Sequence, residues 1–231
     1  MKTTMFAPCY LGEDRLERNI KWLNYYEPLL SKLNVNNLYL IDNGSRLEDL
    51  ELLGGHVVTP EWTTIIPPTS RPYLTVVHFP DHIPRSAWDN YEYWWRAMDW
   101  GFNKIRDKFN YDKVIHIDTD VYILKQKVID LINGLDTGWN AFWSKIYAFP
   151  ETTFQVLCKD SFNLTEEYLN LEPEYSKYNG KVAEDIIPFT NVIKDLIGDR
   201  YGEQGLNQGP AMDYYAQAEI RSTFTFYGQS R

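Results

Sequence analysis

Cysteine is scarce in this chain. Cys9 and Cys158 are the only two in 231 residues. Two thiols cannot build a disulfide framework, and a reducing compartment is the natural setting, so a cytoplasmic protein is expected. No run approaches the ~20 apolar residues of a membrane span, and Met1-Lys2 leads into no long apolar stretch, so neither a span nor a signal peptide is expected. Positive charge is short as well. Lys and Arg total 23 against 32 Asp and Glu, a net charge of −9. That balance argues against a nucleic-acid backbone as partner. An anionic ligand would need local basic residues or a bound metal. Histidine occurs four times and never after His116. Internal repeats and low-complexity tracts are missing too. What remains is ordinary for a soluble globular domain, with 44% hydrophobic and 24% charged residues. Aromatics reach 16%, including eight Trp and seventeen Tyr. Such richness suits a sugar-facing cleft and equally suits plain packing.

One stretch organises the rest: Lys113-Val-Ile-His-Ile-Asp-Thr-Asp-Val-Tyr-Ile-Leu124. Val114, Ile115 and Ile117 read as a buried strand that runs into Asp118 and Asp120. Residues i and i+2 of a strand share a face, so the spacing predicts two converging carboxylates at the strand end. Oxygen ligands of this kind suit a hard divalent cation, Mn²⁺ or Mg²⁺, which phosphates would also hold. A helical pattern follows through Val128, Leu131, Ile132 and Leu135. Strand, acids, then helix puts the acids at the carboxyl edge of a sheet, where open α/β folds bind ligands.

The chain before this stretch alternates strands and helices. Thr3–Tyr10 reads as a first strand. A helix opens after it, with Asp14 as candidate cap, and Pro28 is expected to break it near Tyr26 and Glu27. Leu38–Ile41 is a second strand ending in Asp42, followed by the turn Asn43-Gly-Ser45. A short helix over Leu47–Leu53 and a strand at His56–Val58 come next. Thr59–Pro72, with four prolines, reads as a long surface loop. Leu74–Phe79 is a further strand. The longest helix is expected from Ser86, with Asp89 completing a capping box, and Trp88, Tyr91, Trp95, Met98, Phe102, Ile105 and Phe109 on one face. After Leu135, strands are expected at Asn140–Ser144 and Thr153–Cys158, a helical run over Phe189–Ile197 ended by Gly198, and a last strand at Ser222–Tyr227.

Taken in order, Phe6-Ala-Pro-Cys-Tyr10, Leu40-Ile-Asp-Asn-Gly-Ser45, Trp100-Gly-Phe-Asn-Lys-Ile105, His116-Ile-Asp-Thr-Asp120 and Ala183-Glu-Asp185 resemble the nucleotide-sugar glycosyltransferases of the GT-A fold. The likeness spans about residues 3 to 190, and the Asp-x-Asp after a strand is its specific part. It implies an α/β protein with a Rossmann-like, mostly parallel sheet flanked by helices and a small acceptor-side β/α region. The implied organisation is a single domain over 1–231, with a nucleotide-sugar-binding half (1–125) and an acceptor-side half (126–231). The implied activity is glycosyl transfer of the hexosyltransferase class, from a nucleoside-diphosphate sugar, a UDP-sugar foremost, to a hydroxyl on a glycan.

The resemblance also carries roles onto particular residues. Pro8 and Tyr10 would border the base and Asp42 would hydrogen-bond it. Asp118 would lean towards ribose and metal, with Thr119 beside it, and Asp120 would bind the metal. Arg96 on the long helix, or Arg85 as second choice, would hold the diphosphate. Asp185 would serve as general base of an inverting transfer, with Glu184 orienting the acceptor. Two departures stand out. The family's C-terminal His ligand has no counterpart here, so water, phosphate or another acid must complete the metal site. Glu203-Gln-Gly-Leu-Asn207 resembles a pattern of retaining members, which leaves a retaining transferase as an alternative. Two rivals come from other classes. A haloacid-dehalogenase-like phosphatase also uses Asp-x-Asp, but it wants Thr or Val where Tyr122 stands. A non-enzymatic carbohydrate-binding module would use exposed Trp and Tyr and need neither nucleotide nor metal.

Overall fold

The computed structural model describes residues 1–12, 15–84, 91–145, 148–200 and 212–216. The readings made for Asp14, Arg85, Ser86, Trp88, Asp89, Glu203–Asn207 and Ser222–Tyr227 lie outside the described residues. In chain order the elements begin β1 (Thr3–Cys9), α1 (Arg15–Leu30), β2 (Val35–Asn43), α2 (Leu47–Glu51), β3 (His56–Val58), β4 (Thr64–Ile66) and β5 (Leu74–Phe79). Then α3 (Glu92–Asp99) runs without a break through a π-helical segment (Trp100–Ile105) into α4 (Arg106–Phe109). The chain continues with β6 (Lys113–Ile117), β7 (Tyr122–Ile123), α5 (Gln126–Gly134), β8 (Trp139–Ser144), β9 (Phe149–Cys158), α6 (Phe162–Leu169), α7 (Ala183–Ile186), β10 (Asn191–Ile193), β11 (Gly198–Arg200) and β12 (Tyr214–Ala216).

Nine strands form one sheet in the order β10-β8-β9-β6-β1-β2-β5-β3-β4. From β6 through β1, β2 and β5 to β3 every pairing is parallel. β9 runs antiparallel to both β6 and β8, and β4 antiparallel to β3. The chain therefore winds outward from β1 through β2 to one side, then returns to β6 on the other. That reversal between β1 and β6 opens a crevice at their carboxyl ends.

The alternation of strand side chains divides the core in two. Met5, Ala7, Leu38, Leu40, Ile115 and Ile117 face α1, whose Trp22, Leu23, Tyr26 and Leu29 are fully buried. Phe6, Tyr39, Ile41 and Val114 face the long helix, against Trp95, Met98, Phe102 and Ile105. The helix approaches closely because Gly101 lies over Phe6. A Cβ at Gly101 would collide with that ring.

Four expectations need correction. Pro28 does not break α1, which stays helical to Leu30. Pro28 sits in the last turn, where only one backbone bond is forfeited, and the buried side chains on either side hold that turn in place. Within the stretch read as a loop, Thr64–Ile66 pairs with β3 through a tight turn in which Trp62 adopts φ 66°. The run read as a helix over Phe189–Ile197 is in its described core a strand, β10, parallel to β8. Thr190 begins it by accepting the Trp139 N–H at 2.8 Å on Oγ1. An open sheet edge outweighs a weak helical period there. Gly198, read as a helix stop, instead starts β11, which joins β12 and β7 in a small second sheet.

Candidate active site

The carboxyl ends of β1, β2, β5 and β6 carry Pro8 and Tyr10, Asp42 and Asn43, His78, and Asp118, in neighbouring register. The sheet thus gathers to one edge residues that are far apart in sequence. The long helix adds Arg96 to the same cluster through Asn43.

Asp118 and Asp120 do come together, but strand alternation is not the cause. β6 ends at Ile117, and the Val121 N–H donates to the Asp118 carbonyl at 3.0 Å, closing a turn that contains both acids. Three aromatic side chains of α1 clamp the far side of this turn. The Trp22 indole and the Tyr26 hydroxyl donate to the Val121 carbonyl at 3.2 and 3.0 Å, and the Tyr25 hydroxyl donates to that of Ile123. His116, fully buried and stacked on Phe6, has Nε2 2.8 Å from Asp118 Oδ1.

Asp120 is less well provided for. Its Oδ1 is buried without a hydrogen-bond partner among the described residues. Burial pushes its carboxyl up to about 7, with the charges of Asp118 and Glu151 adding to the effect and Arg18 opposing it. An orphaned buried carboxylate oxygen, next to a second carboxylate, fits a hard cation that would supply the missing charge. Among the described residues no group of three or more His, Cys, Asp and Glu side chains is arranged to hold a metal.

Sequence reasoning missed two residues here. Arg18 of α1 reaches the acid turn, with Nη2 3.4 Å from Thr119 Oγ1, and its Nε is buried with no partner among the described residues. The signal was present: Arg18, Trp22 and Tyr26 are spaced i, i+4, i+8, one helix stripe that grips the turn. Glu151 of β9 is buried, accepts from the Thr153 hydroxyl at 2.8 Å, and bears on the Asp120 charge. Only the antiparallel pairing of β9 with β6 brings it near, so no local pattern could have found it.

Just past the carboxyl end of β1, Tyr10 is half-buried and stacks on His82, with ring centroids 4.4 Å apart. Pro8 lies half-buried at the end of β1, opposite Ile41. Asp42 is wholly buried. It accepts from the Ser45 N–H and hydroxyl and lies 2.7 Å from His78 Nδ1. Its carboxylate closes an Asx turn over Asn43–Ser45, and both of its oxygens already have partners in Ser45 and His78. Arg96 is likewise buried. It donates to Asn43 Oδ1 and lies over the Phe79 ring at 4.2 Å, so it braces the loop around residues 81–83.

Gly44 lets that loop come in. It adopts φ 79°, and an added Cβ would meet the His82 backbone at 2.7 Å. Gly44→Ala should destabilise the protein by about 1–3 kcal/mol. Urea unfolding measures this, and an unchanged midpoint would show that the loop yields freely.

The pair 184–185 is divided by the fold. Glu184 of α7 accepts from the Thr152 hydroxyl at 3.1 Å, on the segment of β9 next to Asp118, whereas Asp185 is exposed.

No protein-family model matches the chain, and no curated protein matches it. Solved structures do. The apo structure of WbbM, a bifunctional glycosyltransferase, superposes at TM-score 0.59 and 11% identity over 94% of this chain and 46% of that one. The galactosyltransferase LgtC in complex with donor and acceptor sugar analogues gives 0.51 and 9% over 87% and 76%. An active-site mutant of LgtC gives 0.52 and 10% over 87% and 75%. At these identities the likeness establishes architecture: the chain has the GT-A fold of nucleotide-sugar glycosyltransferases.

Proposed function

We propose that this protein is a metal-dependent glycosyltransferase that moves a sugar from a nucleoside-diphosphate donor, a UDP-sugar, to an acceptor hydroxyl on a glycan. The observation that carries the reading is the acid turn at the switch point. It holds two adjoining carboxylates, one with an unpartnered buried oxygen, and a cation from α1 beside them. LgtC, a neighbour in fold, was crystallised with donor and acceptor sugar analogues, which supports a donor and an acceptor sugar as ligands here.

Asp118 and Asp120 would hold Mn²⁺ or Mg²⁺. Such an ion, when bound, neutralises the diphosphate and makes it a better leaving group. The rest falls to the chain's own side chains. Tyr10 and Pro8 border the base, and Asp42 keeps the Asn43–Ser45 turn shaped around it. Arg18 takes the diphosphate, because it is the cation at the acid turn and its guanidinium is only partly satisfied. Arg96 holds the loop rather than the phosphates. Glu184 accepts the proton from the acceptor oxygen as that oxygen attacks the anomeric carbon in an inverting transfer. Residues 1–125 then form the donor half, and 126–231 supply the acceptor side through β9 and α7.

Calorimetric titration with a panel of nucleoside diphosphates and their sugars, with and without Mn²⁺, tests the reading. Binding of one nucleotide that requires Mn²⁺ is expected. Binding of oligosaccharide alone, with no response to any nucleotide, would overturn it in favour of a carbohydrate-binding module. Arg18→Gln should weaken the donor ~10–100-fold, the worth of a charge-assisted contact.

A further inference from the structure

We infer that Gln155 and Trp139 are positioning residues for Asp118. Together they fix which nitrogen of His116 carries the proton, and so which oxygen of Asp118 is left for a cation. The inference rests on the proposed cation site.

All three side chains, Gln155, Trp139 and His116, are fully buried. The Trp139 indole N–H donates to Gln155 Oε1 at 2.9 Å. An indole nitrogen only donates, so the Gln155 amide must turn its oxygen that way. On the other side, Gln155 Nε2 donates to the Thr152 carbonyl, which only accepts. A flipped amide would set donor against donor at Trp139 and acceptor against acceptor at Thr152. Two independent partners therefore assign one orientation.

The second hydrogen on Nε2 points to His116 Nδ1, at 3.4 Å. That nitrogen must accept, so it is bare, and the ring proton resides on Nε2. Nε2 then donates to Asp118 Oδ1 at 2.8 Å. The inferred consequence for the carboxylate is specific: Oδ1 is engaged by the imidazole, and Oδ2 is the oxygen left for a cation. Phe6, stacked on the imidazole with centroids 4.9 Å apart, holds the ring plane. Ligand carboxylates elsewhere are held by partners of this kind, and their loss lowers metal affinity.

The experiment uses the full chain with nitrogen-15-labelled histidine. In metal-free protein the His116 ring, identified by its absence from the spectrum of His116→Gln, should report a protonated Nε2 and a bare Nδ1. The double variant Gln155→Met/Trp139→Phe removes the indole donor together with its acceptor. It should lose the single tautomer and bind Mn²⁺ ~10–100-fold more weakly by calorimetry. A parent ring protonated on Nδ1 overturns the inference. So does a double variant that keeps both tautomer and affinity, which is what a purely structural trio would give. If the double variant fails to fold, the parent spectrum still decides. Failure of the wider reading looks different: a parent with the Nε2–H tautomer that binds no divalent cation overturns the proposed function while the tautomer assignment stands.

Discussion

Asp120→Asn is expected to be more stable than the parent at pH 8 in metal-free buffer, and to bind no divalent cation. Its carboxyl has a pKa of about 7 in the folded chain against an ordinary 3.8. The folded state therefore holds the proton more tightly than the unfolded state does. Stability falls as pH rises from about 4 through 7, because the folded protein loses its proton at a cost that the unfolded chain does not bear. Above 7 the full penalty is present, and an amide at this position removes it. The rise from 3.8 to about 7 corresponds to ~4 kcal/mol at 1.36 kcal/mol per pH unit, and the desolvation cost of the buried Asn amide offsets about half of it. About 2 kcal/mol is the reasonable expectation, or roughly 4–8 °C in melting temperature for a chain of this size. At pH 4 the parent and the variant should melt together. Adding Mn²⁺ should reverse the order at pH 8, because only the parent gains binding free energy. Melting curves at pH 4 and pH 8, with and without Mn²⁺, read all of this. A variant no more stable than the parent at pH 8, or one that keeps the parent's Mn²⁺ response, would sink the assignment.

Glu184→Gln should lower turnover ~10²–10⁴-fold while donor affinity is retained, and Asp185→Asn should do little. The two acids are adjacent in sequence but meet different surroundings. Glu184 lies against Thr152, beside the acid turn, and Asp185 is exposed on the first turn of α7. In the proposed site the donor would be held by contacts that involve neither, so a base removed from the acceptor side should change kcat and not donor binding. Loss of the Thr152 hydrogen bond alone would cost on the order of 1 kcal/mol of stability and leave activity per folded molecule intact. Turnover and melting temperature measured on the same samples separate these outcomes. A large loss in Asp185→Asn with none in Glu184→Gln would return the base role to Asp185. Retention of the anomeric configuration in the product would remove a direct-displacement base from both.

The parts of this architecture that are local in origin were readable from the chain. Short apolar runs predicted β1, β2 and β6, the last two leading into Asp42 and Asp118, and the turn chemistry of Asn43-Gly-Ser45 predicted the sharp exit from β2. The periodicity from Trp95 to Phe109 predicted the long helix. The Asp-x-Asp could be singled out because two carboxylates directly follow a buried strand and precede a helical pattern, the edge at which open α/β folds bind ligands. These signals depend on neighbours within a few residues, and such neighbours are fixed by the covalent chain.

What the sequence determined by itself is therefore the α/β class, the strands that lead to the edge, and the acid pair at the end of one of them. The tertiary structure decided which side chains share that edge. Asp42 and Arg96, plausible ligands by order along the chain, are buried among Ser45, His78 and Asn43, because the loop around residues 81–83 folds back over them. Arg18 and Glu151 come near the acid turn, and Glu184 meets Thr152, only through the packing of α1 and the pairings of β9. Even the helical period over Phe189–Ile197 gave way to the open edge of β8. The physical reason is common to all of these. Burial and long-range pairing energies depend on where remote segments meet, and no window of sequence contains that distance.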